Sequence, residues 1–74
     1  MFTVKVINKN TGKPISNKKV GVIFNGLFRG CAKAQYTDND GEAHFSEDNG
    51  EGIIYVNGNK VFEGRIEGRK IIYL

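Results

Sequence analysis

The residues with the clearest potential for chemistry lie in one acidic stretch, TDNDGEAHF (37–45). Asp38, Asp40 and Glu42 stand there at alternate positions, and calcium prefers such carboxylate oxygens as ligands. An EF-hand loop, however, has glycine at its sixth position, a bidentate glutamate at its twelfth and a helix on either side. Counted from Asp38, the glycine comes at the fourth position and Asn49 at the twelfth. The spacing therefore argues against an EF-hand.

The same stretch has the residues of a tight turn. Asp38 can accept hydrogen bonds from backbone amides two residues further on, as in an Asx turn. Asn39 or Asp40 tolerates the left-handed backbone region, and Gly41 can close the turn. We therefore expect a β-hairpin here and assign no metal ligands, with a weak divalent-cation site as the alternative. Calcium should then leave the thermal midpoint almost unchanged.

His44 and Cys31 are the residues best suited to act as a base or a nucleophile. Catalysis of the Cys-His type needs the two side chains within hydrogen-bond reach and a third group that orients the base. His44 is out of phase with Ala43 and Phe45, and Cys31 is out of phase with the apolar residues of its own strand. The sequence also lacks a glycine-rich phosphate loop, a Gly-x-Ser-x-Gly motif and paired metal ligands. We expect no catalytic residues, no cofactor and no enzymatic activity.

The charged residues are unevenly distributed, although the net charge is only +3. Residues 1–37 contain seven Lys or Arg and no acidic residue, whereas residues 38–51 contain six Asp or Glu and no basic residue. Solvated strands and turns are the simplest explanation of such blocks. A basic face for an anionic partner and head-to-tail contacts between copies are the alternatives.

Four lysines define a possible anion-binding face: Lys5, Lys18, Lys19 and Lys33. Three of them have the outward phase of their strands, and Lys18 precedes the second strand. If the first three strands share a sheet, these cations form one stripe that can contact phosphates, with an affinity that falls steeply with salt. If the third strand lies in another sheet, the stripe is split. Lysines on exposed strands also protect sheet edges from aggregation, which is the alternative.

The loop NGLFRG (25–30) carries two large apolar side chains near its tip. Leu27, Phe28 and Arg29 form a possible protein-contact loop, because exposed apolar side chains beside a cation are typical of interfaces. The alternative is that the apolar pair folds back and caps the core. Replacing Phe28 with Ser should abolish self-association in the first case and unfold the protein in the second.

Glycines and a proline interrupt the chain too often for long helices, since there are ten glycines in 74 residues. Between them, apolar residues alternate with the period of a strand. The predicted inward-facing sets are Phe2, Val4 and Val6; Val20, Val22 and Phe24; Ala32, Ala34 and Tyr36; and Ala43 with Phe45. The sequence predicts one all-β domain over residues 1–74, with about seven short antiparallel strands in a Greek-key sandwich, or else a small barrel.

Three local signals refine this prediction in the second half of the chain. The apolar run IIYV (53–56) is typical of a central strand that is covered on both faces. Asn57-Gly58 is the strongest short-range signal for a two-residue hairpin turn. Gly68 interrupts the alternation of the final stretch, which indicates a bulge or a break between two strands.

Three segments also share motifs with a known group of domains. FTVKVINKNTGKPISNKKVGV (2–22) has their opening strand, Gly-Lys-Pro turn and Asn-x-x-Val strand. YTDNDGEAHF (36–45) has a Thr-Asp-x-x-Gly-Glu-x-x-Phe hairpin, and GIIYVNG (52–58) stands at the place of a Gly-x-Tyr-x-Val strand. The hairpin motif is supplied by Thr37, Asp38, Gly41, Glu42 and Phe45. Over residues 2–62 the chain thus resembles transthyretin-like and carboxypeptidase-regulatory-like domains, which belong to the immunoglobulin-like β-sandwiches.

This resemblance implies a seven-stranded Greek-key sandwich that serves as a binding or spacing module. The chain lacks the His- and Arg-bearing motifs of the hydrolase branch of the group, which argues against an enzyme. We expect a non-enzymatic structural or protein-interaction module whose partner is another protein or a second copy of itself, with no small-molecule substrate. The alternative is a small basic β-domain that binds nucleic acid through its lysine-rich sheet face.

Length and the N-terminal residues bear on stability and location. A chain of 74 residues buries only about 60% of its unfolded surface, and Cys31 alone cannot form an internal disulfide. The start, MFTVKV, lacks the charged leader and apolar run of a secretory signal. No apolar run approaches the roughly 20 residues of a membrane helix. We therefore expect no membrane insertion, and one unpaired thiol favours the cytoplasm.

Overall fold

Alternating apolar residues form seven strands in the computed structural model, which describes residues 1–26 and 30–74. The strands are β1 (Phe2–Ile7), β2 (Lys19–Phe24), β3 (Gly30–Tyr36), β4 (Glu42–Phe45), β5 (Gly50–Val56), β6 (Asn59–Ile66) and β7 (Gly68–Tyr73). The predicted protein-contact loop of Leu27, Phe28 and Arg29 lies outside the described residues. No helix in the described part of the chain is long and apolar enough to cross a membrane.

Three strands form one sheet in the order β4-β1-β7. β1 runs antiparallel to β4, with Phe2 opposite Phe45, and parallel to β7, with Phe2 opposite Gly68. The prediction of purely antiparallel strands is therefore wrong for the β1–β7 pair. Parallel neighbours need a long connection, and β2 to β6 provide it here. The chain leaves β6 after Ile66 and enters the three-stranded sheet at Gly68.

The other four strands form an antiparallel sheet in the order β3-β2-β5-β6. The predicted central position of the IIYV run is confirmed, because β5 lies between β2 and β6. Ile54 and Val56 are buried, whereas Ile53 and Tyr55 on the opposite face are half-buried. The strand is thus fully covered on one face and partly covered on the other.

β3 departs from the predicted alternation because of a bulge. Val22 lies opposite Ala32, but Val20 lies opposite Gln35, so β3 contains one extra residue. A bulge of this kind reverses the face of every later side chain. The prediction that Tyr36 faces inward is therefore wrong: Tyr36 is 59% exposed. Ala34, predicted inward as well, is half-buried.

The two sheets share one hydrophobic core. Its buried members are Phe2, Val4, Val6, Val20, Val22, Phe24, Ala32, Ala43, Phe45, Ile54, Val56, Ile66 and Ile72. The Phe2 ring stacks on Phe45 of the same sheet at 5.0 Å and meets Phe24 of the other sheet edge-on at 5.8 Å. The inward sets predicted for β1, β2 and β4 are all in this cluster, so those predictions are confirmed.

Two turns fix the strand ends that matter for the sites below. Asn57 and Gly58 both have positive φ, at 51° and 84°, as a two-residue hairpin of type I′ requires. Gly41 closes the turn before β4 with a φ of 74°. Its amide donates to the Asp38 carbonyl and its own carbonyl accepts from Val6. The predicted hairpin at Asn57-Gly58 is confirmed. The turn at 38–41 forms as well, but the prediction of a β-hairpin there is wrong, because the turn joins β3 of the four-stranded sheet to β4 of the three-stranded sheet.

Candidate functional site

The outer face of the four-stranded sheet is the side turned away from the shared core. We call it the tyrosine face. Its residues are Lys19, Gly21, Ile23, Cys31, Lys33, Tyr36, Glu51, Ile53, Tyr55, Lys60, Glu63 and Arg65. They share this face because residues directly opposite one another in a sheet point to the same side.

A row of apolar side chains crosses the centre of the tyrosine face. Ile23 of β2 lies opposite Cys31 of β3 and Ile53 of β5. Ile23 is 39% exposed, and Cys31 is an exposed free thiol. In the neighbouring part of the face, Tyr36 lies opposite Lys19. Large apolar and aromatic side chains thus remain accessible beside a cation.

A depression of about 510 Å³ lies beside this row. It is lined by Lys19, Gly21, Tyr55, Asn57 and Gly58. The space exists because Gly21 has no side chain: a Cβ atom placed there would meet no heavy atom within 4 Å. The Asn57 side chain helps to shape the rim, since its Oδ1 accepts a hydrogen bond from the Lys19 amide at 3.2 Å.

The lysines of the tyrosine face differ in their partners. Lys60 donates to Glu63 at 2.6 Å, and this hydrogen bond raises the pKa of Lys60 above its usual value of 10.5. Lys19 and Lys33 are exposed and have no ion pair within residues 1–26 and 30–74. Half-buried Lys18 precedes β2 and also lacks one within the same residues. These three cations are therefore open to an external anion.

The predicted single stripe of four lysines does not form. Lys5 is on β1 of the three-stranded sheet, whereas Lys19 and Lys33 are on β2 and β3 of the other sheet. Lys5 also lies 3.8 Å from Glu42. The stripe is split because β1 pairs with β4 and β7 rather than with β2. The candidate anion-binding face is thus reduced to Lys19 and Lys33, with Lys18 next to Lys19 just before β2.

The outer face of the three-stranded sheet carries a different arrangement, which we call the glutamate face. It comprises Thr3, Lys5, Ile7, Glu42, His44, Arg69, Ile71 and Tyr73, joined by the register of β1 with β4 and β7. Glu42 is at its centre: its Oε2 lies 3.8 Å from Lys5 Nζ and 3.3 Å from Arg69 Nη1. The Glu42 side chain is only 18% exposed. The two cations therefore compensate a largely covered carboxylate.

The turn before β4 brings Asp38 to the rim of the glutamate face. Asp38 Oδ1 accepts hydrogen bonds from the amides of Asp40 at 2.9 Å and Glu42 at 3.0 Å, which confirms the predicted Asx turn. The Glu42 amide is the main reason that the pKa of Asp38 lies below its usual value of 3.8, with smaller contributions from the Asp40 amide and His44. The other oxygen of Asp38 points toward His44.

His44 lies between two carboxylates and a hydroxyl. Its Nε2 is 3.6 Å from Asp38 Oδ2 and 3.7 Å from Glu42 Oε1. On the other side of the ring, Nδ1 forms a hydrogen bond of 2.9 Å with Thr3 Oγ1. Asp38, Glu42 and His44 each offer a ligand atom within 4.8 Å of the others. These three residues could together hold a metal ion.

His44 and Cys31 do not form the Cys-His pair considered from the sequence. His44 lies on the outer face of one sheet and Cys31 on the outer face of the other, with the shared core between them. The sequence did contain a signal for the actual neighbours of His44. Residues two apart on a strand share a face, so Glu42-x-His44 places a carboxylate beside the imidazole.

No protein-family model, no curated protein and no solved structure matches the chain. The resemblance to transthyretin-like domains therefore rests on the sequence motifs alone.

Proposed function

We propose that the chain is a non-enzymatic protein-interaction module, and that it binds an acidic partner protein with its tyrosine face. The observation that carries this proposal is the open depression at Gly21, beside exposed Tyr36 and the cation of Lys19, which has no ion pair among the described residues. Accessible aromatic and aliphatic side chains supply binding energy when they are desolvated. Cations around them favour partners of negative charge and accelerate their association.

A Greek-key sandwich of the transthyretin-like type is the architecture that we propose for this module. Two sheets of three and four strands around one core agree with it. The Asx turn at Asp38 and the buried side chain of Phe45 also support it, although β3 and β4 on either side of this turn lie in different sheets. Domains of this group act as binding or spacing modules, which supports a binding role for the exposed sheet face.

Single-stranded nucleic acid is the second candidate ligand for the same face. Proteins that bind single strands combine cations that contact phosphates with aromatic rings on which bases stack. Tyr36 lies opposite Lys19, and Tyr55 borders the same depression. The face also carries Ile23 and the Lys60–Glu63 pair, and an apolar row interrupted by a carboxylate suits a protein partner better than a phosphate backbone.

The proposal can be tested with two probes of similar charge and different chemistry. One is a short peptide that alternates glutamate with leucine or phenylalanine, and the other is a single-stranded oligonucleotide. We expect the peptide to perturb the backbone amide resonances of Lys19, Gly21 and Tyr55, and to bind more tightly than the oligonucleotide. Tighter and strongly salt-dependent binding of the oligonucleotide would instead establish the nucleic-acid alternative.

Two substitutions should remove the interaction without unfolding the protein. Gly21→Leu fills the depression, and Tyr36→Ser removes an exposed ring, so each should weaken peptide binding by about tenfold or more. Ile71→Ser is the matched control, because Ile71 is also exposed but lies on the glutamate face. Equal weakening by all three variants, or no binding of either probe at millimolar concentration, would refute the proposal.

Sedimentation velocity identifies the remaining possible partner. The acidic segment 38–51 of a second copy has the charge that the tyrosine face favours. If the wild type is a dimer and Gly21→Leu is a monomer, the partner is a second copy. If the wild type and Gly21→Leu are both monomers, the acidic partner is a different protein.

A further inference from the structure

The cluster of Asp38, Glu42 and His44 has no part in the function proposed for the tyrosine face. We infer that these three residues bind a divalent transition-metal ion of the Zn²⁺ type, on the rim of the glutamate face. The cluster combines one imidazole nitrogen with two carboxylate oxygens, which are ligands that zinc accepts in proteins.

The spacing of the ligand atoms suits an ion better than direct hydrogen bonds. His44 Nε2 lies 3.6 Å from Asp38 Oδ2 and 3.7 Å from Glu42 Oε1, whereas hydrogen bonds from nitrogen to oxygen are shorter than about 3.2 Å. In a tetrahedral zinc site with bonds of about 2.1 Å, neighbouring ligand atoms are about 3.4 Å apart. Side-chain rotations that move Nε2 by a few tenths of an ångström would bring it to about that separation from each oxygen. The two carboxylate oxygens, which lie within 4.8 Å of one another, would also have to move closer together.

The second polar atom of each ligand residue is already held by a neighbour outside the metal position. Asp38 Oδ1 accepts from two backbone amides, Glu42 Oε2 faces Lys5 and Arg69, and His44 Nδ1 contacts the Thr3 hydroxyl. When Nδ1–H donates to Thr3 Oγ1, the lone pair of Nε2 faces the two carboxylates. Such outer contacts orient metal ligands and raise metal affinity.

The charge and exposure of the cluster indicate which ion it would favour and how tightly. Imidazole favours zinc and its neighbours in the transition series over calcium and magnesium, which prefer oxygen ligands alone. The side chains of His44 and Asp38 are 63% and 50% exposed, so water would complete the coordination. Lys5 and Arg69 oppose a second cation, and we therefore expect moderate affinity and an open coordination position.

The test is a titration of the whole chain with Zn²⁺ alone, followed through the imidazole resonances of His44. The chain has one histidine, so these signals report on the proposed site without ambiguity. Cys31→Ser is used as the parent protein, because a thiolate is itself a zinc ligand. We expect saturable shifts of the His44 ring with Zn²⁺ and little change with Ca²⁺ or Mg²⁺.

Four variants separate this site from general binding to surface carboxylates. Asp38→Asn keeps Oδ1 for the turn but removes the charge, and it should weaken zinc binding about tenfold or more; Asp40→Asn is its matched control and should not. Thr3→Val should weaken binding to a lesser degree, because it removes only the orienting hydroxyl. With His44→Gln, zinc binding measured by calorimetry should be lost.

Three results would overturn the inference. One is the absence of saturable shifts of the His44 ring at millimolar Zn²⁺. The second is equal weakening by Asp38→Asn and Asp40→Asn, which would indicate nonspecific attraction to the acidic turn. The third is calorimetric binding that survives His44→Gln unchanged.

Discussion

On the glutamate face the cations of Lys5 and Arg69 lie beside the Glu42 carboxylate. On the tyrosine face, in contrast, Lys19 and Lys33 have no ion pair within the described residues. The Glu42 carboxylate is also largely covered, with 18% of its side chain exposed, whereas Tyr36 on the tyrosine face is 59% exposed. Cations that compensate a largely covered carboxylate contribute mainly to the fold. Open cations beside aromatic rings are free to contribute to binding. The contrast predicts that equivalent substitutions on the two faces have different effects.

The largest difference in stability should come from adding a methyl group at Gly41, in the turn next to the glutamate face, and at Gly21, on the tyrosine face. Gly41→Ala places a Cβ atom 2.6 Å from the Val6 carbonyl oxygen and 2.9 Å from Pro14 Cβ, at a φ of +74°. A left-handed backbone costs about 1–2 kcal/mol and overpacking about 1–3 kcal/mol, so we expect a loss of about 2–5 kcal/mol in the free energy of unfolding. Urea denaturation measures this loss.

Gly21→Ala is the matched control for Gly41→Ala. Its Cβ atom would meet nothing within 4 Å, and Gly21 has an ordinary strand conformation. Replacing a strand glycine with alanine stabilises by about 0.5–1 kcal/mol, so this variant should be as stable as the wild type or slightly more stable. If both variants lose stability equally, the conclusion that Gly21 has open space for a side chain is wrong.

A smaller difference in stability should come from neutralising Glu42 on the glutamate face and Glu63 on the tyrosine face. Glu42→Gln leaves Lys5 and Arg69 without their shared partner, and the partly covered site makes the loss about 1 kcal/mol. The thermal midpoint should then fall by about 4–8 °C for a domain of this size. Glu63→Gln on the tyrosine face is the control and should leave the midpoint unchanged. A larger fall for Glu63→Gln would contradict the division of roles between the two faces.

The smallest effect should be the pH dependence of the Lys60–Glu63 pair. Glu63 raises the pKa of Lys60 in the folded protein above its usual value of 10.5. The contribution of the pair to stability is therefore fully present below pH 10.5 and is lost as pH rises through the raised pKa. Since both side chains are exposed, the thermal midpoints of wild type and Glu63→Gln should run almost parallel from neutral pH to pH 10. A difference that changes between neutral pH and pH 10 would show that another group is involved.

The sequence was sufficient for features that depend on neighbours along the chain. Alternation identified the buried sides of β1, β2 and β4 because successive strand residues point to opposite faces. The Asp38 and Asn57-Gly58 turns were also predicted, since their hydrogen bonds and positive φ angles involve residues close in sequence. These signals specify local conformation without reference to the rest of the fold.

In β3 the local alternation failed to predict which way a side chain points. Its own alternation places Tyr36 with Ala32, but the pairing with β2 adds one residue between them and turns Tyr36 outward. The tyrosine that we assign to binding was therefore predicted to lie in the core. A bulge depends on the register with the neighbouring strand, and the residues of β3 alone do not encode that register.

The sequence by itself determined which side chains share a face in the regular strands β1, β2 and β4, including Glu42 and His44 on β4. Only the tertiary structure decided which strands are neighbours, and so it separated Lys5 from Lys19 and brought Thr3 to His44. The physical reason is that side-chain direction follows from the local backbone. Strand pairing, in contrast, uses backbone hydrogen bonds that are alike for almost every residue, so the packing of the whole core selects among the possible partners.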